Sequence, residues 1–124
     1  MENYFIKSSN KTPKIDFNKN GSLKIKGRSI HEDPDEFYLA IIAWVEDYCK
    51  SPADSTIVDV ELEYFNSGSA KFILVILQLL TTQLIGDKNL MINWYYEHGD
   101  DDILERGQYY SSLLNKDFVF IRES

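Results

Sequence analysis

The chain is poor in several things at once. It has a single cysteine, Cys49, among 124 residues. No disulfide framework can form within it, which fits a reducing compartment. Cys49 is also without a histidine near it in sequence, so it reads as a small, partly buried residue near a helix end rather than a nucleophile. Histidines number two, His31 and His98. Neither His31-Glu32-Asp33 nor His98 with Asp100, Asp101 and Asp102 puts two ligands on one helix face, and aspartates at a helix start complement its dipole without a metal. Basic residues are scarce: 13 Lys and Arg face 20 Asp and Glu, for a net charge of −7. That balance opposes binding to a phosphate backbone, so nucleic acid is excluded as the expected partner.

Long apolar runs are also missing. The longest, from Phe72 to Ile85, is broken by Gln78, Thr81, Thr82 and Gln83. It falls short of the ~20 residues of a membrane span. "MENYFIKSSN" has no apolar core of a signal peptide. The expectation is a soluble cytoplasmic protein without a membrane-inserted segment. No Gly-x-Ser-x-Gly elbow and no Gly-rich P-loop with its Lys occurs, so the residues give no enzyme, no cofactor and no metal.

What is present is a globular composition, 44% hydrophobic, in a length typical of one domain. Residues 1–124 are taken as one domain, with 1–11 either a loose segment or an edge strand. "KIDFNKNGSLKIKG" reads as a hairpin around "NKNG". "HEDPDEF" starts a helix, with Asp33 as cap and Pro34 in the first turn. Phe37, Ala40, Ile41, Trp44, Val45 and Tyr48 form its apolar stripe. "TIVDVELEY" alternates strictly, placing Val58, Val60, Leu62 and Tyr64 on one face and Asp59, Glu61 and Glu63 on the other. Lys24 and Lys26 would balance that acidic row if the hairpin pairs with this strand. A helix spans 69–84, "NLMINWYYE" is a strand, and "GDDDILERGQYYSSLLN" is a helix with Ile103, Leu104, Gly107, Tyr110, Leu113 and Leu114 inward. "DFVFIRE" closes the chain as a strand. Strand and helix alternate in the second half, which implies right-handed crossovers and a largely parallel sheet. The fold class is α/β (α+β): a mixed sheet with an N-terminal antiparallel hairpin and helices mainly on one face.

Between the alternating strand and the apolar helix lies "FNSGSAK". Asn66, Ser67 or Ser69 could cap the helix. The helix itself is apolar almost all round. It is either sandwiched between other helices or presents a docking surface, with Phe72, Val75 and Leu79 as its expected contacts. A hydroxyl at its start is then well placed for a charge switch, because a phosphate adds about −1.5 to −2 charge.

"TPKIDF", "GRSIHEDPDEFY", "WVEDY", "LEYFNSGSAK", "WYYE" and "DDDILERGQYY" together resemble blocks of the SiaC family of bacterial regulatory phosphoproteins, in family order from Thr12 onward. These proteins are similar in fold to anti-sigma-factor antagonists of the STAS type. The resemblance implies that Ser67 is the phosphoacceptor, with Ser69 as second choice and Asn66, Gly68, Ser69 and Lys71 around it. Gly68 stands where Ser is usual, and His31 where Pro is usual. It further implies a histidine-kinase-like Ser/Thr kinase, a PP2C-type phosphatase, and a downstream effector such as a diguanylate cyclase. The chain itself would not be catalytic. The competing expectation is a phosphorylation-independent module that docks through helix 69–84.

Overall fold

The computed structural model describes residues 1–124. Its elements run β1 (Tyr4–Ile6), β2 (Lys14–Phe17), β3 (Ser22–Ser29), α1 (Asp35–Tyr48), β4 (Ser55–Phe65), α2 (Ser67–Gln83), β5 (Asn89–Glu97), α3 (Asp101–Leu113) and β6 (Val119–Glu123). The six strands lie in one sheet in sequence order. β1, β2 and β3 pair antiparallel, and β3 to β6 pair parallel. Each helix therefore connects neighbouring parallel strands, always advancing in the same direction. Right-handed crossovers then put all three helices on one face.

The other face of the sheet is open, and its chemistry follows from strand alternation. Val58, Val60 and Leu62 are buried on the helix side, while Asp59 and Glu61 stay half-exposed on the open side. The hairpin supplies the expected counter-charges: Lys24 pairs in register with Asp59 and Lys26 with Glu61. Lys26 Nζ reaches Glu61 at 3.2 Å. This is a solvent-exposed pair, worth under about 1 kcal/mol.

The alternation breaks at the end of β4, and this break positions the site. Gly27 of β3 pairs with Leu62, but the next residue, Arg28, pairs with Tyr64. Glu63 is thus an extra residue on β4, opposite Gly27 with its φ of 126°, a backbone state that side chains other than glycine's disfavour. The bulge reverses the facing of the last two residues. Tyr64, expected inward, is 47% exposed, and Phe65 is fully buried in its place.

The helices depart from expectation in detail. Asp33 does not cap α1. Its backbone N–H donates to His31 Nδ1 at 3.0 Å, and Pro34 holds the N-cap position without a side-chain bond. The buried side of α1 is Tyr38, Ile41, Val45 and Tyr48. Phe37 and Trp44 flank it half-buried, and Ala40 is exposed. In α3, Ile103, Gly107 and Tyr110 face inward, while Leu113 is 54% exposed. Gly107 is required by packing: a Cβ there would stand 2.5 Å from Trp94 Nε1.

α2 is the middle helix of the layer. Phe72 stacks on Tyr38 of α1 with ring centroids 5.4 Å apart, and on the other side Tyr110 of α3 donates to the Ala70 carbonyl at 2.9 Å. Burial between two helices and a sheet explains why α2 is apolar on most of its circumference. Only a narrow ridge faces water: Ser67, Lys71, Val75, Gln78 and Thr82, at helical spacing. No helix in the molecule is long and apolar enough to cross a membrane.

Candidate functional site at the β4–α2 hinge

Asn66 is the N-cap of α2. Its backbone is extended (φ −81°, ψ 172°), and its Oδ1 accepts from the Ser69 N–H at 2.9 Å. Its own N–H donates to the Ser29 carbonyl at 3.0 Å, which carries the β3–β4 pairing one step past the strand. Its Nδ2 donates to the His31 carbonyl at 3.3 Å. Strand, helix and the loop after β3 thus converge on this one side chain.

The two candidate serines have opposite surroundings. Ser67 is the first residue of α2, exposed at the head of the water-facing ridge. Ser69, two residues further into the helix, is fully buried. Ser29 Oγ donates to Ser69 Oγ at 2.7 Å, and Ser29 Oγ also bonds the Tyr38 hydroxyl at 2.5 Å. Burial pushes the Tyr38 phenol up to about 12, against hydrogen bonds from Ser29 and Ser69 that pull it down. This hydroxyl cluster joins β3, α1 and α2 beneath the hinge. Tyr38 shares the helical spacing of Ile41, Val45 and Tyr48, which marks it as core but not as a partner of the hinge, and Ser29 is brought beside it by the sheet register.

Gly68 needs no special backbone. A Cβ there would meet Asn66 Oδ1 and Pro34 Cγ at 3.7 Å, an ordinary contact, so a serine would fit. Lys71 lies on the ridge one turn after Ser67, with Nζ 5.1 Å from the Phe72 ring centroid. Arg106 of α3 was invisible from sequence. Its guanidinium lies 3.8 Å over the Phe65 ring, and Nη1 donates to the Phe65 carbonyl at 2.6 Å.

The expected docking residues do not form one face. Phe72 and Leu79 are half-buried and turn toward α1, Leu79 beside Glu46 and Cys49. Val75 stands on the ridge, 36% exposed. Burial raises the Cys49 thiol above its ordinary value, away from a reactive thiolate. No group of three or more His, Cys, Asp or Glu side chains is arranged to hold a metal ion. A recess of about 490 Å³ on the open sheet face is lined by Lys14, Lys26, Glu61, Tyr95, Glu97 and Glu123 among others, and neither histidine reaches it. There, burial and then the Glu61 carboxylate push the Glu123 carboxyl up.

The sequence matches the SiaC family of regulatory phosphoproteins over residues 6–123. The chain belongs to the SiaC family. An uncharacterized protein of Pseudomonas aeruginosa (strain UCBPP-PA14) is 27% identical over 106 residues, covering 85% of this chain and 84% of that one. The solved structure of Pseudomonas aeruginosa SiaC superposes with a TM-score of 0.85 at 25% identity, over 99% of this chain and 100% of SiaC. SiaC crystallised with the diguanylate cyclase SiaD, as its activator, gives a TM-score of 0.88 at 24% identity, over 97% of this chain and 99% of that one. The mixed sheet with its antiparallel start is therefore the SiaC architecture.

Proposed function

We propose that this SiaC-family chain is a non-catalytic, cytoplasmic partner switch, reversibly phosphorylated on Ser67. A histidine-kinase-like Ser/Thr kinase adds the phosphate and a PP2C-type phosphatase removes it. The unphosphorylated form binds a downstream effector, a diguanylate cyclase by analogy with the SiaC–SiaD complex.

The observation that carries this reading is the contrast at the hinge: Ser67 is exposed at the first position of α2, whereas Ser69 is fully buried and hydrogen-bonded. A kinase reaches the first without opening the helix. The first-turn N–H groups and the positive end of the helix dipole tolerate an anion there, by about 0.3–1 kcal/mol. The fold is thus little disturbed, while the ridge that begins at Ser67 gains about two negative charges. That is the signature of a switch in binding rather than in folding.

Incubation with the cognate kinase and ATP should add one phosphate, seen as a single intact-mass shift, and Ser67→Ala should abolish it. A shift that survives in Ser67→Ala removes Ser67 from its role. Capture of the cyclase by the unmodified form, and its loss on phosphorylation, tests the second half. Equal capture of both forms would favour the phosphorylation-independent docking module.

A further inference from the structure

Arg106 is half-buried at the C-terminal edge of the sheet, held by the Phe65 ring and carbonyl. Its bond to that carbonyl uses one of the five donors of a guanidinium. The three ion pairs of the molecule lie elsewhere, at Lys26–Glu61, Lys50–Asp47 and Lys88–Asp54. The Arg106 charge therefore has no carboxylate partner, although α3 begins with Asp101 and Asp102. A partly desolvated, anchored and unneutralised guanidinium is a poor stabiliser of the unmodified fold. It is a good anion receptor.

The carbonyl it holds stands two residues before Ser67. Cα atoms two apart are separated by at most about 7 Å, so the guanidinium is held at the same hinge as Ser67, and a swing of the long Arg106 side chain off this carbonyl would carry the fork to a phosphate there. We propose that Arg106 is the residue that positions and holds this phosphate, through charge-assisted and bidentate hydrogen bonds. This rests on the Ser67 reading and extends it. Lys71, exposed on its four-carbon stem, adds a weaker, screened charge from one turn along α2. Because Arg106 belongs to α3, the modification is then read on two helices. Tyr110, one turn further on α3, already ties that helix to the first turn of α2 through the Ala70 carbonyl.

The test separates this role from that of the kinase. Phosphoserine is installed at position 67 by codon reassignment, and the phosphorus resonance of the intact protein is titrated with pH. With Arg106 present, the midpoint should fall below the ordinary value of about 6 for the second phosphate ionisation, by about half a unit to one unit. Arg106→Gln keeps an N–H donor for the Phe65 carbonyl but removes the charge, and should raise the midpoint back toward the ordinary value, leaving only the smaller depression due to the helix N-terminus. Arg106→Lys should restore part of the depression, and Lys71→Gln should move the midpoint less than Arg106→Gln does. Equal midpoints in the parent and Arg106→Gln overturn the proposal, as does a dominant effect of Lys71→Gln. Should the natural kinase modify a different residue, mass mapping reports it, while the titration of the installed phosphate still decides the role of Arg106.

Discussion

Ser29 donates a hydrogen bond to Ser69 at 2.7 Å across a separation of 40 residues, joining β3 to the first turn of α2 in a site closed to water. A buried hydroxyl pair of this kind stabilises modestly when complete and costs more when one partner is removed, because the other is left without water or protein. Ser69→Ala should therefore destabilise the fold by about 1–3 kcal/mol. Ser67→Ala, at an exposed position, should stay within about 0.5 kcal/mol of the parent. Urea unfolding followed by tryptophan fluorescence distinguishes the two. Comparable losses would mean that the hydroxyls are not divided into a structural and a free one.

Asn66, and neither serine, caps α2. Asn66→Ala should cost about 1 kcal/mol, within a range of about 0.5–2, and Asn66→Asp should recover only part of it, because a carboxylate restores the acceptor for the Ser69 N–H but not the donor to the His31 carbonyl. The aspartate would also place a negative charge next to Ser67, so its phosphorylation rate should fall although the fold is retained. Urea midpoints and initial kinase rates on the three proteins check both halves.

Much of this was legible beforehand, and the exceptions have a common cause. The hairpin, the alternation through Leu62 and the Lys24 and Lys26 pairing with the acidic row follow from local periodicity and turn chemistry, which the sheet preserves. Tyr64 was placed on the wrong face because the Glu63 bulge is a property of the β3–β4 pairing, not of β4 alone. Asp33 does not cap because the helix begins one residue later: the Tyr38 N–H donates to the Pro34 carbonyl, so Pro34, with no side-chain acceptor, holds the N-cap position. At the hinge, exposure of Ser67 and burial of Ser69 could not be read from two identical side chains two positions apart. Arg106, Ser29 and Tyr38 come to the hinge from other elements, through sheet order and helix packing, and nothing in their local sequence marks them as its partners.

Val75 offers a test of the ridge as a contact surface. It is 36% exposed, midway along the row headed by Ser67, so in Val75→Glu the longer Glu stem can carry its carboxylate to water while part of the isopropyl burial is lost. Stability should fall by about 1 kcal/mol with the fold retained, whereas effector capture by the folded protein should weaken by at least about tenfold if the ridge sits in the interface, or 1.4 kcal/mol. Phe72→Ala is the contrasting variant. It loses its stacking on Tyr38 and should destabilise the fold before it informs on binding. Unchanged capture by Val75→Glu would exclude the ridge as the docking face.

Gly107→Ala sets two effects against each other. Alanine favours a helix interior by about 1 kcal/mol over glycine. The new methyl would stand 2.5 Å from Trp94 Nε1, and Trp94 is fully buried, with its N–H donated to the Ile103 carbonyl at 2.9 Å. Overpacking of a rigid core costs about 1–3 kcal/mol, so the clash should win and the variant should be less stable than the parent. A shift in Trp94 emission should accompany the lower urea midpoint. A more stable variant would show that α3 can slide outward at no cost.

The Tyr38 phenol gives a pH dependence whose sign is fixed. Burial raises its pKa to about 12 in the folded state, against 10.0 for an ordinary tyrosine. Below pH 10 both states keep the proton, and the group contributes no pH dependence. Between about pH 10 and 12 the unfolded chain loses its proton while the folded one retains it, so stability falls as pH rises, by up to about 2–3 kcal/mol. Burial raises the Tyr110 phenol as well, which adds a slope of the same sign. Tyr38→Phe leaves the Ser29 hydroxyl short of a partner, so it should be less stable than the parent at pH 7, by about 1–2 kcal/mol. It should also lose the larger share of the alkaline slope, so that the two curves of stability against pH converge above pH 10. Parallel curves from pH 8 to 12 would show that the phenol titrates as if exposed, and that the hydroxyl cluster under the hinge is open to water.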